Sequence, residues 1–291
     1  MFGSKFWDQV ATGVAQRWVD RLFSPALLFW AGGLLAWAQA HDWAAAVGRL
    51  RAATDVEQIL LAVGGIIIVA GSAAAVEQLQ KPVLRLLEGY GWPAWLLRRR
   101  RRQLRRGRLK EMRLRHAALG QRFAQLSPEE LAEYGRLDEE LRTYPGDRRL
   151  LPTRLGNLLR AAEDHAWERY GLATRAVWPS LWLLLPEATR SELVAARLRL
   201  DRAIGLWLWS LLFLVWTVWV WWALVVAVAG AWWAYGQALQ AGGVYGELLR
   251  AAFNVHRFSL YDALGLRPPP LDQERKWGRQ LTNYLGRGFL P

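Results

Sequence analysis

The stretch from Ile204 to Gln240, "IGLWLWSLLFLVWTVWVWWALVVAVAGAWWAYGQALQ", contains no Asp, Glu, Lys or Arg. As one α-helix it would reach about 55 Å, while the hydrocarbon core of a bilayer is about 30 Å thick. Two spans fit better, near 205–220 and 223–240, with a tight connection around Trp221 and Trp222, because paired indoles suit the membrane–water interface. No Gly, Pro or Asn marks that turn, so a single long tilted helix stays open as the other reading.

Two further runs are free of charge: "PALLFWAGGLLAWAQA" over 25–40 and "ILLAVGGIIIVAGSAAAV" over 59–76. Each is close to the roughly 20 apolar residues that a span needs, and Ser24 with Pro25 supplies a cap and first residue for the first. Net charge is +1 over 1–23, −1 over 41–58, +10 over 77–203 and +3 over 204–291. Four spans put every positive segment on one side; three would export the basic C-terminal part, against the positive-inside tendency.

The expected fold class is therefore an all-α integral membrane protein with four transmembrane helices arranged as two hairpins. Residues 1–23 form an amphipathic helix, with Trp7, Val10, Val14 and Trp18 on one face, lying in the headgroup layer or packed on the cytoplasmic domain. The first hairpin is 24–76, a basic helical cytoplasmic domain covers 77–203, the second hairpin is 204–240, and 241–291 is a cytoplasmic C-terminal helix and tail. The expected location is a bacterial inner membrane with both termini cytoplasmic. "AWAQAHD" has the small-x-small look of a signal-peptidase site, but the 23 residues before the first span are much longer than a usual basic n-region and amphipathic, so cleavage is not expected.

Within 77–203 several helices are punctuated. "SPEELAEYGRLDEEL" begins with Ser127 as cap, Pro128 first and Glu130 completing a capping box, with Leu131, Tyr134, Leu137 and Leu141 as its buried stripe. "PTRLGNLLRAAEDHAWERYG" gives a second, capped by Thr153, stopped near Gly171 and burying Leu155, Leu158, Leu159 and Ala162. "VWPSLWLLLPE" is too short to span and belongs in the domain core or at the interface. After the last span, Leu248, Ala252, Val255 and Leu260 mark an amphipathic continuation that Gly265 and "RPPP" end.

Three stretches, "LRLLEGYGWP", "LPTRLGNLLRAAEDHAWERYG" with "WPSLWLLLP", and "YGELLRAAFNVHRFSLYDALGL", together resemble an uncharacterised family of multi-spanning bacterial membrane proteins. That resemblance covers about a third of the chain. It implies the topology and a bacterial origin, and carries over no catalytic or ligand-binding residue.

Signals for chemistry are sparse. With no Cys there is no disulfide framework or thiol nucleophile. Glu163, Asp164, His165 and Glu168 are the nearest thing to a metal or acid–base cluster, against a solvated helix face paired with Arg160 and Arg169. No phosphate-binding glycine loop or nucleophile elbow occurs. "PTRLGN" offers Thr153, Arg154 and Asn157 to an anion, or simply caps a helix. Gln39, Ser72, Ser210, Thr217 and Gln237 are the polar groups in the spans, and the lack of an intramembrane acid or base counts against a pump. No enzyme and no cofactor are expected.

Small residues recur at every fourth position: Gly32, Ala36 and Ala40 in the first span, Gly71 and Ala75 in the second, and Gly230, Ala234, Ala238 and Gly242 in the fourth. The spacing suits close helix packing, within one chain or in a homo-oligomer. The densest charge is "LLRRRRRQLRRGRLKEMRLRH", with eleven Lys or Arg between Arg98 and Arg115. Following the bend "EGYGWPAW", it reads as a cytoplasmic surface anchor, with Arg98, Arg99, Arg100, Arg101, Arg102, Arg105, Arg106 and Arg108, flanked by Trp92 and Trp95, holding anionic phospholipid.

The expected role is a non-enzymatic membrane anchor or scaffold that also takes a cytoplasmic protein partner. The competing role is a homo-oligomeric ion channel with an Arg-rich vestibule. Nucleic acid ranks last as a partner, since the run has no stacking aromatics within it.

Overall fold

The structure, a computed structural model, describes residues 25–288, with only the helix backbone given at 49–51. The helix expected within 1–23 lies outside the described residues. Among those described the chain is all-helical, with no strand: α1 Pro25–Ala40, α2 Trp43–Ala52, α3 Asp55–Glu88, α4 Ala94–Arg106, α5 Arg108–Gln121, α6 Pro128–Leu141, α7 Arg154–Tyr170, α8 Thr174–Leu184, α9 Glu187–Leu212, α10 Trp222–Ala263 and α11 Glu274–Arg287. Of these, α3 and α10 are long and apolar enough to cross a bilayer, and α1 is apolar but shorter. The chain divides into two compact units, one made of 25–83 with Ala203–Tyr235, the other of 84–202 with 236–288.

In the first unit, the long uncharged run is not one helix. After α9 ends at Leu212, Phe213–Val218 forms a 3-10 turn, and α10 restarts at Trp222. Aromatic packing accompanies this break in place of a turn residue. Trp216 is buried with its ring 5.0 Å from Phe29 and 5.8 Å from Trp30, and stacks on Trp219 at 5.4 Å. Gly32 and Gly33 make room for it. A Cβ on Gly33 would lie 2.3 Å from the Trp216 ring, and one on Gly32 would lie 2.6 Å from Phe213.

Several polar groups of the same unit are satisfied by one another, while the buried Trp216 Nε1 has no partner among the described residues. Trp30 Nε1 donates to Ser72 Oγ at 3.1 Å and Trp222 Nε1 to Gln39 Oε1 at 2.9 Å. Ser210 and Thr217 donate to backbone carbonyls one turn back.

The packing stripes fare differently. Ala36 and Ala234 are buried, and a Cβ on Gly230 would meet Ser210 Oγ at 2.7 Å. By contrast, a Cβ on Gly71 would meet open space, and Ala75 is exposed. This corrects the expectation for α3 within one chain. The helix touches the aromatic cluster through Val69, Ala73 and Val76, so Gly71 and Ala75 sit off the contact face.

In the second unit, Ser127 and Glu130 form the reciprocal capping box that starts α6. Leu131, expected in its buried stripe, is exposed, and no α6 residue is fully buried; the closure against α5 is made by Leu109, Met112 and Leu119 of α5. Thr153 caps α7 through Gly156 N–H, and Gly171 ends it at φ +73°. A Cβ on Gly156 would stand 2.0 Å from the Glu88 carbonyl oxygen, so only glycine allows the end of α3 to lie on the start of α7.

The core of this unit gathers Ala162, Ala166 and Leu172 with Val177, Leu181 and Leu185 of the "VWPSLWLLLP" stretch. It also takes Phe253, Leu260 and Tyr261 from α10 and Leu281 from α11. The segment 241–288 is thus part of this core instead of a separate tail. Its buried face runs through Leu249 and Phe253, while Val255 is 68% exposed. Thr282 clasps the terminal helix, accepting from Ala173 N–H and donating to the Gly171 carbonyl, both at 3.0 Å.

Candidate functional site

The basic run folds as two helices with different surroundings. Gly107 separates them, because a Cβ there would lie 2.9 Å from the Gln103 carbonyl oxygen. On α4 no residue is buried, and Trp95, Arg98, Arg99, Arg102 and Arg106 line one open groove along a single face. Among the described residues, Arg98, Arg99, Arg101, Arg102 and Arg106 have no carboxylate within ion-pair distance, although Arg101 is half-buried. Arg100 and Arg105 turn instead to the backbone carbonyls of Pro152 and Asp147.

The α5 arginines are neutralised. Arg108 pairs with Glu140 at 2.9 Å, Arg115 binds both Glu133 oxygens at 2.9 Å, and Arg113 pairs with Asp147. His116 lies 3.5 Å from Asp138, and Arg122 of the following turn lies 3.3 Å from Glu130. The Arg115 bond holds the Glu133 carboxyl below its ordinary range. Arg108, expected among the lipid-binding residues, therefore already has an acidic partner.

Trp92, expected to flank the run as an anchor, has a structural use in the bend. Its Nε1 donates to the Leu86 carbonyl at 3.0 Å, closing the bend in which Gly89 and Gly91 take φ +95° and +80°. Trp95, 61% exposed, remains free for an interface.

A second feature of this unit is a cavity of about 1030 Å³. Arg85, Arg149, Arg160 and Arg175 line it together with Glu88, Glu163 and Asp164. Asp164 is 3% exposed; Arg149 donates to its Oδ1 at 2.7 Å and Arg160 lies 3.8 Å away. Its Oδ2 is buried with no hydrogen-bond partner among the described residues. Burial pushes the Asp164 carboxyl above its ordinary range despite the two arginines. The expected solvated face thus holds for Glu163, which pairs with Arg160 at 3.6 Å, and fails for Asp164. No local pattern marks Arg149, which lies on a 3-10 turn just before α7 and outside its helical periodicity.

His165 points elsewhere, its Nε2 3.2 Å from Asn254 Oδ1, which also accepts from the Tyr170 hydroxyl at 2.7 Å. Burial holds its pKa below the ordinary value, and the nearby Arg250, Arg169 and Arg142 add to that. Among the described residues no three acids or histidines gather as a metal site. The "PTRLGN" segment is used for structure: Asn157 is buried and bonds Leu151 N–H, the Leu151 carbonyl and the Thr153 carbonyl. Compared with known proteins, the chain matches no family model, no curated protein and no solved structure, so its function is read from these residues alone.

Proposed function

We propose that this chain is a non-enzymatic, multi-pass anchor or scaffold of a bacterial inner membrane, whose basic helical unit binds anionic phospholipid through α4. The four spans are α1, α3, the end of α9 and the start of α10, paired as two hairpins with both termini cytoplasmic. The helix break at Phe213–Trp221 and the exposed apolar residues of α3 from Ile59 to Ile68 support this layout.

The observation that carries the lipid reading is the row of arginines on α4 without carboxylate partners, headed by an exposed Trp. Each such residue near an acidic leaflet contributes about 1 kcal/mol before salt screening, and an indole suits the headgroup layer. The more neutral α5–α6 hairpin is left to face a protein partner. The full chain, reconstituted so that its basic unit faces outward, should capture acidic vesicles, and replacing Arg98, Arg99, Arg100, Arg101 and Arg102 by Gln should weaken this. Unchanged capture would reject the assignment.

The unpacked face of α3, with Gly64, Gly65 and Gly71 open, favours a second reading, a homo-oligomeric ion channel with α4 as a cationic vestibule. Unitary currents in a planar bilayer would select it; a strict monomer in detergent would remove it.

A further inference from the structure

The polar cavity does not stand alone. Trp178, Pro179 and Tyr245, which line it, also line an apolar groove of about 600 Å³ formed with Trp182, Leu193 and Leu198. Leu183 at 76% exposure and Val194 at 45% also line the groove and leave apolar surface open to an occupant. The one charged lining residue, Arg197, is already paired with Asp201 at 3.2 Å. Polar cavity and apolar groove meeting at shared residues match an amphiphile, with its head in the first and a chain in the second.

The charges specify the head. Arg85 and Arg175 line the cavity without a carboxylate partner within ion-pair distance among the described residues, and guanidinium is suited to phosphate oxygens. On the same walls, Glu88 and Asp164 supply acceptors, and the free, buried Asp164 Oδ2 lacks a donor. A purely anionic head would leave Asp164 Oδ2 without a donor and Glu88 without an ion-pair partner among the described residues. A phosphate joined to a primary ammonium answers both signs.

We propose that the second unit holds one phospholipid molecule with a zwitterionic phosphate–ammonium head, its phosphate at Arg85 and Arg175, its ammonium at Asp164 and Glu88, and an acyl chain along Trp178, Trp182, Val194 and Leu198. The site is separate from the α4 surface and does not rest on the role given to that helix. Its selectivity is opposite: α4 favours net negative lipid, whereas this cavity discriminates by the amine.

Native mass spectrometry of the delipidated full chain in a neutral detergent tests it, with dioleoyl phosphatidylethanolamine, dioleoyl phosphatidylglycerol and chain-free glycerophosphoethanolamine as probes. The ethanolamine lipid should bind at least tenfold more tightly than the glycerol lipid, and the chain-free head should not bind at millimolar concentration. Asp164→Asn should reduce that preference below twofold. Arg175→Gln, on an exposed residue, should weaken the ethanolamine lipid at least fivefold with circular dichroism unchanged, and Val194→Asp should weaken both lipids. The preference should survive Gln at Arg98–Arg102, which separates this site from α4. Equal affinity for the two lipids, strong binding of the chain-free head, or a preference untouched by both Asp164→Asn and Arg175→Gln would overturn the proposal.

Discussion

Arg98–Arg106 and Arg108–Arg122 look alike as sequence, yet α4 keeps its guanidinium groups free of carboxylates while those of α5 and the turn after it are met by Glu130, Glu133, Glu140 and Asp147. The difference lies in what packs beside each helix. α5 folds back on α6, whose acidic side faces it, whereas α4 buries none of its residues and, among the described residues, none of its arginines pairs with a carboxylate. Charge density along a chain is therefore a poor measure of charge available to a ligand. An exposed ion pair adds little to stability, yet it cancels most of the field a membrane would sense.

The largest expected effect is a direct contest between the halves. Replacing Arg98, Arg99, Arg102 and Arg106 by Gln should lower affinity for acidic vesicles by roughly 100-fold at modest ionic strength, following about 1 kcal/mol per residue less screening. The matched set Arg108, Arg113, Arg115 and Arg122 should change it by less than about threefold. Vesicle co-sedimentation of both variants measures this, and equal losses would erase the distinction. A smaller effect of opposite sign is expected when Glu130, Glu133, Asp138 and Glu140 become Gln. Freed of their partners, the hairpin arginines should raise vesicle affinity by about three- to tenfold.

Why the sequence showed the run but not its division follows from range. The acids that neutralise Arg115, Arg108 and Arg113 lie 18, 32 and 34 residues away, beyond any local helical spacing. Local devices were legible: the Ser127 box, the Thr153 cap and the glycine at 171 each act within a few residues. Failures came where tertiary packing sets the register. Gly71 follows the small-residue spacing, but the contact face of α3 runs through Val69, Ala73 and Val76. Asp164 follows a solvated helical pattern, and is buried because Arg149 from the preceding turn closes over it. The break between Leu212 and Trp222 carries no turn residue, because ring packing on Gly32 and Gly33 accompanies it.

A titrating group on α7 lies beside the end of the hairpin. His165 sits near Arg142, the cation that ends α6, and its pKa is held below 6.5 mainly by burial. A histidine kept neutral in the fold favours the folded state above its unfolded pKa, and that contribution is lost as pH falls through about 6.5 toward the lower folded value. The thermal midpoint of the full chain in detergent should therefore drop between pH 7.5 and 5.5 by more in the wild type than in His165→Gln. Asp164 has the reverse sign, since its raised pKa favours the fold as pH decreases. It is present in both proteins, so the difference between them isolates His165. Parallel pH curves would mean that burial and the nearby Arg250, Arg169 and Arg142 do not act on this ring.

The smallest expected effect tests whether the hairpin pairs matter for the fold or only for the field. Arg115 and Glu133 form a two-pronged pair with both nitrogen–oxygen distances at 2.9 Å, the best geometry in the hairpin, but both side chains stay solvated at 51% and 34% exposure. Solvent and side-chain entropy offset most of the attraction in such a setting. A double-mutant cycle of Arg115→Gln and Glu133→Gln, read by thermal denaturation, should give a coupling near the limit of detection that vanishes in 0.5 M salt. The same single variants should still shift vesicle affinity in opposite directions, Glu133→Gln upward and Arg115→Gln slightly downward. A large, salt-resistant coupling would mean that the pair holds the hairpin together, and that α5 is neutral as a consequence of folding stability instead of a partition of charge.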